Sequence, residues 1–175
     1  EGIQYIFEYR QKIATFVQYL KENNNFVQFL TSHPYYLLEE KNVEKVCKNP
    51  SYLSAILIFL HHCNVEIHTD KLAYFGFEEG DKITFPTLTL EWIETLLQHV
   101  LISDRSSLEN WEPLLKVLEK DLRKLGGING GKIQLLGNDN LFKKLTHSIS
   151  KLRSINAIVH FEQQKLGENL RLVVL

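Results

Sequence analysis

Methionine is absent from this chain of 175 residues, and cysteine nearly so, with only Cys47 and Cys63. Two cysteines are too few for a disulfide framework, which points to an intracellular protein, nuclear or cytoplasmic. The missing methionine bears on spacing. Had any been lost from the sequence as written, the helical phase beyond each gap would slip by one residue. No apolar run reaches the roughly 20 residues that span a bilayer, so no membrane partner is expected. No signal peptide opens the chain, which starts on Glu1 as a fragment would. Asn49-Pro50-Ser51 resembles a glycosylation acceptor but has proline in the forbidden middle position. Motifs of catalysis are lacking as well: no Gly-x-Ser-x-Gly elbow, no His-Glu-x-x-His and no paired-cysteine spacing. The balance leans away from an enzyme, and no cofactor is expected.

What is present is the composition of a soluble globular protein, 44% hydrophobic and 23% charged, in a chain long enough to bury a sizeable core. That core is expected around residues 51 to 63. Leu53, Ala55, Ile56, Leu57, Ile58, Phe59 and Leu60 leave hardly a polar side, and a helix apolar all round must be surrounded by protein. Pro50 suits the first turn of such a helix, and the Ser51 hydroxyl can accept a free amide hydrogen there.

Helical three- and four-residue spacing places a first helix over residues 3 to 22. Asn23 to Asn25 end it and can cap a second, with Phe26, Phe29 and Leu30 inward. Pro34 breaks the pattern at His33. One or two short helices follow over residues 35 to 48, with Asn42 as a candidate cap. Residues 65 to 85 read as a surface loop, marked by glycine and an acidic cluster. Thr87 or Thr89 starts a strong helix through Leu101. Ser106 to Glu109 has capping-box spacing before a helix with its stripe at Leu114, Leu118, Leu122 and Leu125. The tail predicts a strand at 132 to 136, a helix from about 140 to 154, an alternating strand at 157 to 163, and a hairpin turn at 165 to 169. The fold class is therefore α+β, predominantly α: about six helices, then a small strand-helix-strand-strand module, possessing the order of a winged helix but one helix short. The expected division is a helical domain over 1–125, a glycine-rich linker over 126–131, and the C-terminal module over 132–175.

Three clusters invite a chemical reading. Gly126 to Lys132 satisfies G-x-x-x-x-G-K, the phosphate-cradling loop, but Ile133 stands where a hydroxyl should reach magnesium. The loop also leaves a helix and enters a strand, so no helix amino terminus faces the phosphates. His61, His62, Cys63, His68 and Asp70 are the densest set of metal-type ligands. Neighbouring helical positions point about a hundred degrees apart, so His61 and His62 do not readily share one ion, and a structural role is expected. The third feature is charge. Residues 1–111 carry 9 Lys or Arg and 15 Asp or Glu, a net −6, whereas residues 112–175 carry 11 and 6, a net +5. Lys116, Lys120, Arg123, Lys124, Lys143, Lys144, Lys151 and Arg153 form the basic stripe, which suits phosphates, an acidic partner or solvent. Tyr35 and Tyr36 are further interaction candidates, against ordinary half-buried packing.

The sequence thus favours a non-catalytic protein–protein interaction module of an intracellular assembly, with another protein as partner. The alternatives are a nucleic-acid-binding module using the basic C-terminal helix and hairpin, and an enzyme without a recognisable motif.

Overall fold

The computed structural model describes residues 2–38, 40–137 and 149–167. The chain is predominantly helical, with one small two-stranded antiparallel sheet among the described residues. None of the described helices is long and apolar enough to cross a membrane.

Helix α1 (Gly2–Glu22) buries Tyr9, Ile13, Phe16 and Leu20, one stripe at intervals of three and four. Asn23 caps α2 (Asn24–Thr31), its side-chain oxygen accepting from the Phe26 amide at 3.2 Å. Here the expected cap and the observed one coincide. His33 takes the break before Pro34 in an extended conformation and caps α3 (Pro34–Leu37) through its ring. Asn42 is not a cap: it lies inside α4 (Glu40–Lys48) and is buried. Helix α5 (Pro50–His62) is the core element, with Tyr52, Leu53 and every residue from Ala55 to Leu60 buried. The cap there is Asn49 rather than Ser51, and it acts through its backbone position without a side-chain bond to the helix.

The segment read as loop contains a short helix, α6 (Thr69–Ala73), built around buried Leu72. Helix α7 (Leu90–Gln98) forms the broadest contact with α5 and runs on into a π turn, His99–Ser103. The Ser106–Glu109 stretch falls in two 3-10 turns, Arg105–Ser107 and Glu109–Trp111, and makes no capping box. Helix α8 (Glu112–Lys124) begins instead with Glu112, held by a fork from Arg105 with Nε to Oε2 at 2.7 Å and Nη2 to Oε1 at 3.1 Å. The guanidinium keeps that carboxyl below the usual range. From this start the buried stripe is Leu115, Leu118 and Leu122, with Leu114 and Leu125 half-buried at its edges.

Residues 126–131, read as a linker, cap α8 and then turn a hairpin. Strands β1 (Ile128–Asn129) and β2 (Lys132–Ile133) pair antiparallel. The two-residue loop between them has φ of +55° at Gly130 and +76° at Gly131. Both central positions of this tight turn are left-handed, which glycine adopts without a Cβ penalty. The Gln98 side chain then treats β2 as a third strand would, donating to Gly131 O at 3.3 Å and accepting from the Ile133 amide at 2.8 Å. Glu94 Oε1 accepts from the Leu135 amide and, at 3.0 Å, from the Leu136 amide. Tyr9 Oη donates to Gln134 O at 3.2 Å. Removing the Glu94 carboxylate strands the amide of Leu135, a residue only 1% exposed. Glu94→Ala is expected to cost about 1–3 kcal/mol, the desolvation penalty of an orphaned buried donor. Hydrogen exchange should show the loss confined to the amides of residues 128–136.

The last described element departs from expectation. Residues 157–163 are not a strand but part of α9 (Ile149–Leu166). Among the described residues their period-two pattern has no neighbouring strand to pair with, and a helix satisfies its backbone within the segment. The half-buried positions Ile155, Val159 and Glu162 follow helical spacing. The winged-helix reading loses the first strand of its wing by this. The helix caps at 138–140, the apolar stripe at 141–145 and the residues 168–175 of the expected hairpin lie outside the described residues.

Candidate functional site

Phenylalanine density in a segment read as exposed loop has a structural outcome. Residues 74–86 form a strap that crosses α5 and α7 and roofs a pocket of about 210 Å³. Leu57 and Ile58 of α5, Leu72, Trp92 of α7, and Phe75 and Phe85 of the strap are among its lining residues. Phe77 also lines it and is 40% exposed. Its apolar walls suit an apolar guest. The strap turns at Gly76 and Gly80, both with positive φ. Between and beside them Glu78, Glu79 and Asp81 form an exposed acidic turn, tied locally by Asp81 Oδ2 accepting from the Glu78 amide at 2.7 Å.

His61 and His62 hold the far end of this strap. The His61 ring stacks on Phe85 with centroids 4.1 Å apart and planes 12° from parallel. His62 Nε2 lies 3.1 Å from the Pro86 carbonyl and donates to it. The two rings also meet edge-on, with centroids 5.5 Å apart and planes 83° from parallel, and each makes its own contact with the strap. Among the described residues no group of three or more His, Cys, Asp or Glu is placed to hold a metal ion.

A second polar cluster lies on the opposite end of α5. His33, 2% exposed, accepts from the Tyr35 amide through Nδ1 at 3.1 Å, which leaves its proton on Nε2 facing Tyr52 Oη at 2.8 Å. Tyr52 stacks on His99 at 4.3 Å, and Asn49 Nδ2 donates to His99 Nε2 at 3.0 Å. The π turn brings His99 to this position from the end of α7. Burial, reinforced by His99, lowers the His33 pKa to about 4. Burial also pushes the Tyr52 hydroxyl far up and raises the Asp104 carboxyl. The adjoining cavity of about 40 Å³, lined by Asn42, Lys45, Asp104 and Ser107 among others, has room for about one water.

The interaction candidates of the sequence are dispersed. Tyr35 is half-buried in the His33 cluster, and Tyr36 is buried with Lys71 Nζ 5.5 Å from its ring centre. Along α8, Lys116 lies 3.6 Å from Glu112, Arg123 2.8 Å from Glu119, and Lys124 3.3 Å from Asp121. Lys120 is exposed on the same helix. Lys124 and Asp121 also border an open groove of about 680 Å³ between α1 and α8, with Phe16 and Tyr19 on its other wall. Arg153 is exposed on α9. Lys151 stands in the first turn of that helix, its side chain outside what the structure describes, as are Lys143 and Lys144 altogether.

The strap pocket was not foreseen from the sequence. The available signal was Phe75, Phe77, Ile83 and Phe85 at even spacing, too many large apolar side chains for a solvated loop. Comparison of the chain with protein-family models, with curated proteins and with solved structures gives no match.

Proposed function

We propose that this chain is a non-catalytic protein-interaction module of a larger assembly, and that it captures an apolar anchor of its partner beneath the strap. The observation that carries this reading is the pocket of about 210 Å³ with phenylalanine and tryptophan in its walls. A buried aromatic or aliphatic anchor in such a pocket is the usual source of binding energy at a protein interface. The exposed carboxylates that follow Phe77 in the strap favour an anchor flanked by lysine or arginine.

Two tryptophans make the reading testable by fluorescence. Trp111→Phe leaves Trp92, half-buried in the pocket wall, as the sole reporter. A short peptide with one phenylalanine between lysines should shift its emission saturably, and the same peptide with alanine in place of phenylalanine should not. Identical responses to both peptides, or none to either, would sink the proposal.

Nucleic-acid binding is the competing reading, and the ion pairs along α8 speak against it. Lys116, Lys120, Arg123 and Lys124 share that helix with Glu112, Glu119 and Asp121, so its stripe is nearly charge-balanced. No appreciable binding to duplex or single-stranded oligonucleotides is expected at physiological salt. Tight binding with a logarithmic salt slope near −0.9 per phosphate contact, lost on changing Lys143→Glu with Lys144→Glu, would replace the protein reading.

A further inference from the structure

The buried His33 ring is built into the start of a helix. Its Nδ1 accepts the Tyr35 amide at 3.1 Å, and this bond is the N-cap of α3. Its Nε2 faces Tyr52 Oη at 2.8 Å. An imidazolium carries a hydrogen on both nitrogens, so a proton added at Nδ1 sets two donors head to head. The cap cannot survive that encounter. Helix α3 depends on its cap: it is four residues long and closes at Leu38 with φ of +54°, a left-handed conformation unfavourable for leucine. The ionisable groups packed around the ring are Tyr35 of α3, Lys45 of α4, Tyr52 of α5, and His99 and Asp104 at the two ends of the π turn. Helix α2 carries no ionisable group and contributes Phe29, edge-on at 5.6 Å. Asp104 favours added charge on the ring, whereas Lys45 and His99 oppose it.

We propose that His33 is an acid-operated latch on α3: a proton on Nδ1 uncaps the helix and frees residues 34–38 from α5 while the rest of the fold stays closed. The release uncovers buried Tyr36 and the Tyr52 ring, on which Tyr35 lies with ring centres 4.9 Å apart. Freed into water, the imidazole titrates near 6.5; in the closed fold it titrates near 4. Between these values the open form binds the proton and the closed form does not. Each unit of pH lost in that window therefore favours opening about tenfold.

Amide hydrogen exchange of the full chain tests the latch. The reporters are the Tyr35 and Leu37 amides, which donate to the His33 ring and to its carbonyl. Below pH 6.5 their protection should fall about tenfold per pH unit, beyond the change in intrinsic exchange rate. They should exchange faster than the α5 amides and be indifferent to low urea, because a small opening exposes little surface. His33→Asn keeps a capping oxygen that takes no proton, so α3 protection should become flat with pH. His99→Gln should leave the acid response of α3 in place. Protection in α3 that ignores pH in the parent chain overturns the proposal. Exchange in α3 with the rate and urea dependence of α5 overturns it as well, since the proton would then act through global unfolding alone. These two outcomes need only the parent chain, so they decide even where a variant fails to fold. A response that persists in His33→Asn, or that vanishes in His99→Gln, places the proton on another group and overturns it too.

Discussion

Ile56→Ala should lower the unfolding free energy by roughly 2–5 kcal/mol, the range for truncating a fully buried aliphatic side chain. Ile56 has no exposed surface, and α5 is packed by α2, α3, α4 and α7 at once. So enclosed a site cannot collapse around the lost methyls, and the cavity term adds to the transfer term. Ile56→Val, which removes one methylene, should cost about 0.5–1.5 kcal/mol. Ser54→Ala on the same helix provides the control: its hydroxyl only bonds back to the Pro50 carbonyl at 2.9 Å. Its effect should stay within about 0.5 kcal/mol, as for other substitutions away from such features. Urea unfolding followed by circular dichroism measures all three. A loss below about 1 kcal/mol for Ile56→Ala would mean that α5 is peripheral.

Acid should destabilise the protein through His33. In the unfolded chain this imidazole titrates near its ordinary value of 6.5, and in the fold near 4. Between these values the unfolded state binds the proton and the native state does not, so stability falls as pH falls. The contribution is complete above pH 6.5 and lost by pH 4, and between pH 7.5 and 4.5 it amounts to about 2–3 kcal/mol. Burial also lowers His99, which adds in the same direction. Asp104 opposes both, since burial raises its carboxyl, and protonating it on acidification relieves a cost. Lys45 and Tyr35 are the other ionisable groups lining the cavity beside His33. Denaturant midpoints across this window should therefore fall with pH in the parent chain, and the slope should flatten in His33→Phe whatever that variant's absolute stability. Equal slopes in the two proteins would remove His33 as the cause.

The helices of this protein are written in local terms, and for that reason they can be read from the sequence. The 3.6-residue period of Ile13, Phe16 and Leu20, the asparagine before Phe26, and the prolines at 34 and 50 act within a few residues of where they stand. The burial of Ile56 and Leu60 follows from an apolar run with no polar side to turn outward. The basic character of residues 112–175 is likewise a matter of composition, but its pairing is not. Only in the folded α8 do the lysines and arginine find Glu112, Glu119 and Asp121 a turn away.

Everything at the candidate site was decided by tertiary structure. The contacts that make it join residues far apart in sequence: His62 to Pro86 across 24 positions, His33 to Tyr52 across 19, Asn49 to His99 across 50. No local periodicity encodes such partners. A structural role for the two adjacent histidines is legible in the sequence, but their partners Phe85 and Pro86 are not. The same limit explains residues 157–163. Alternation favours a strand only when another strand lies alongside to take its hydrogen bonds, and whether one does is settled by the fold, so the segment became helix. Sequence alone determined where helices could form and which helix had to be central. The packing of separate elements determined which side chains meet, and hence where this protein has a pocket at all.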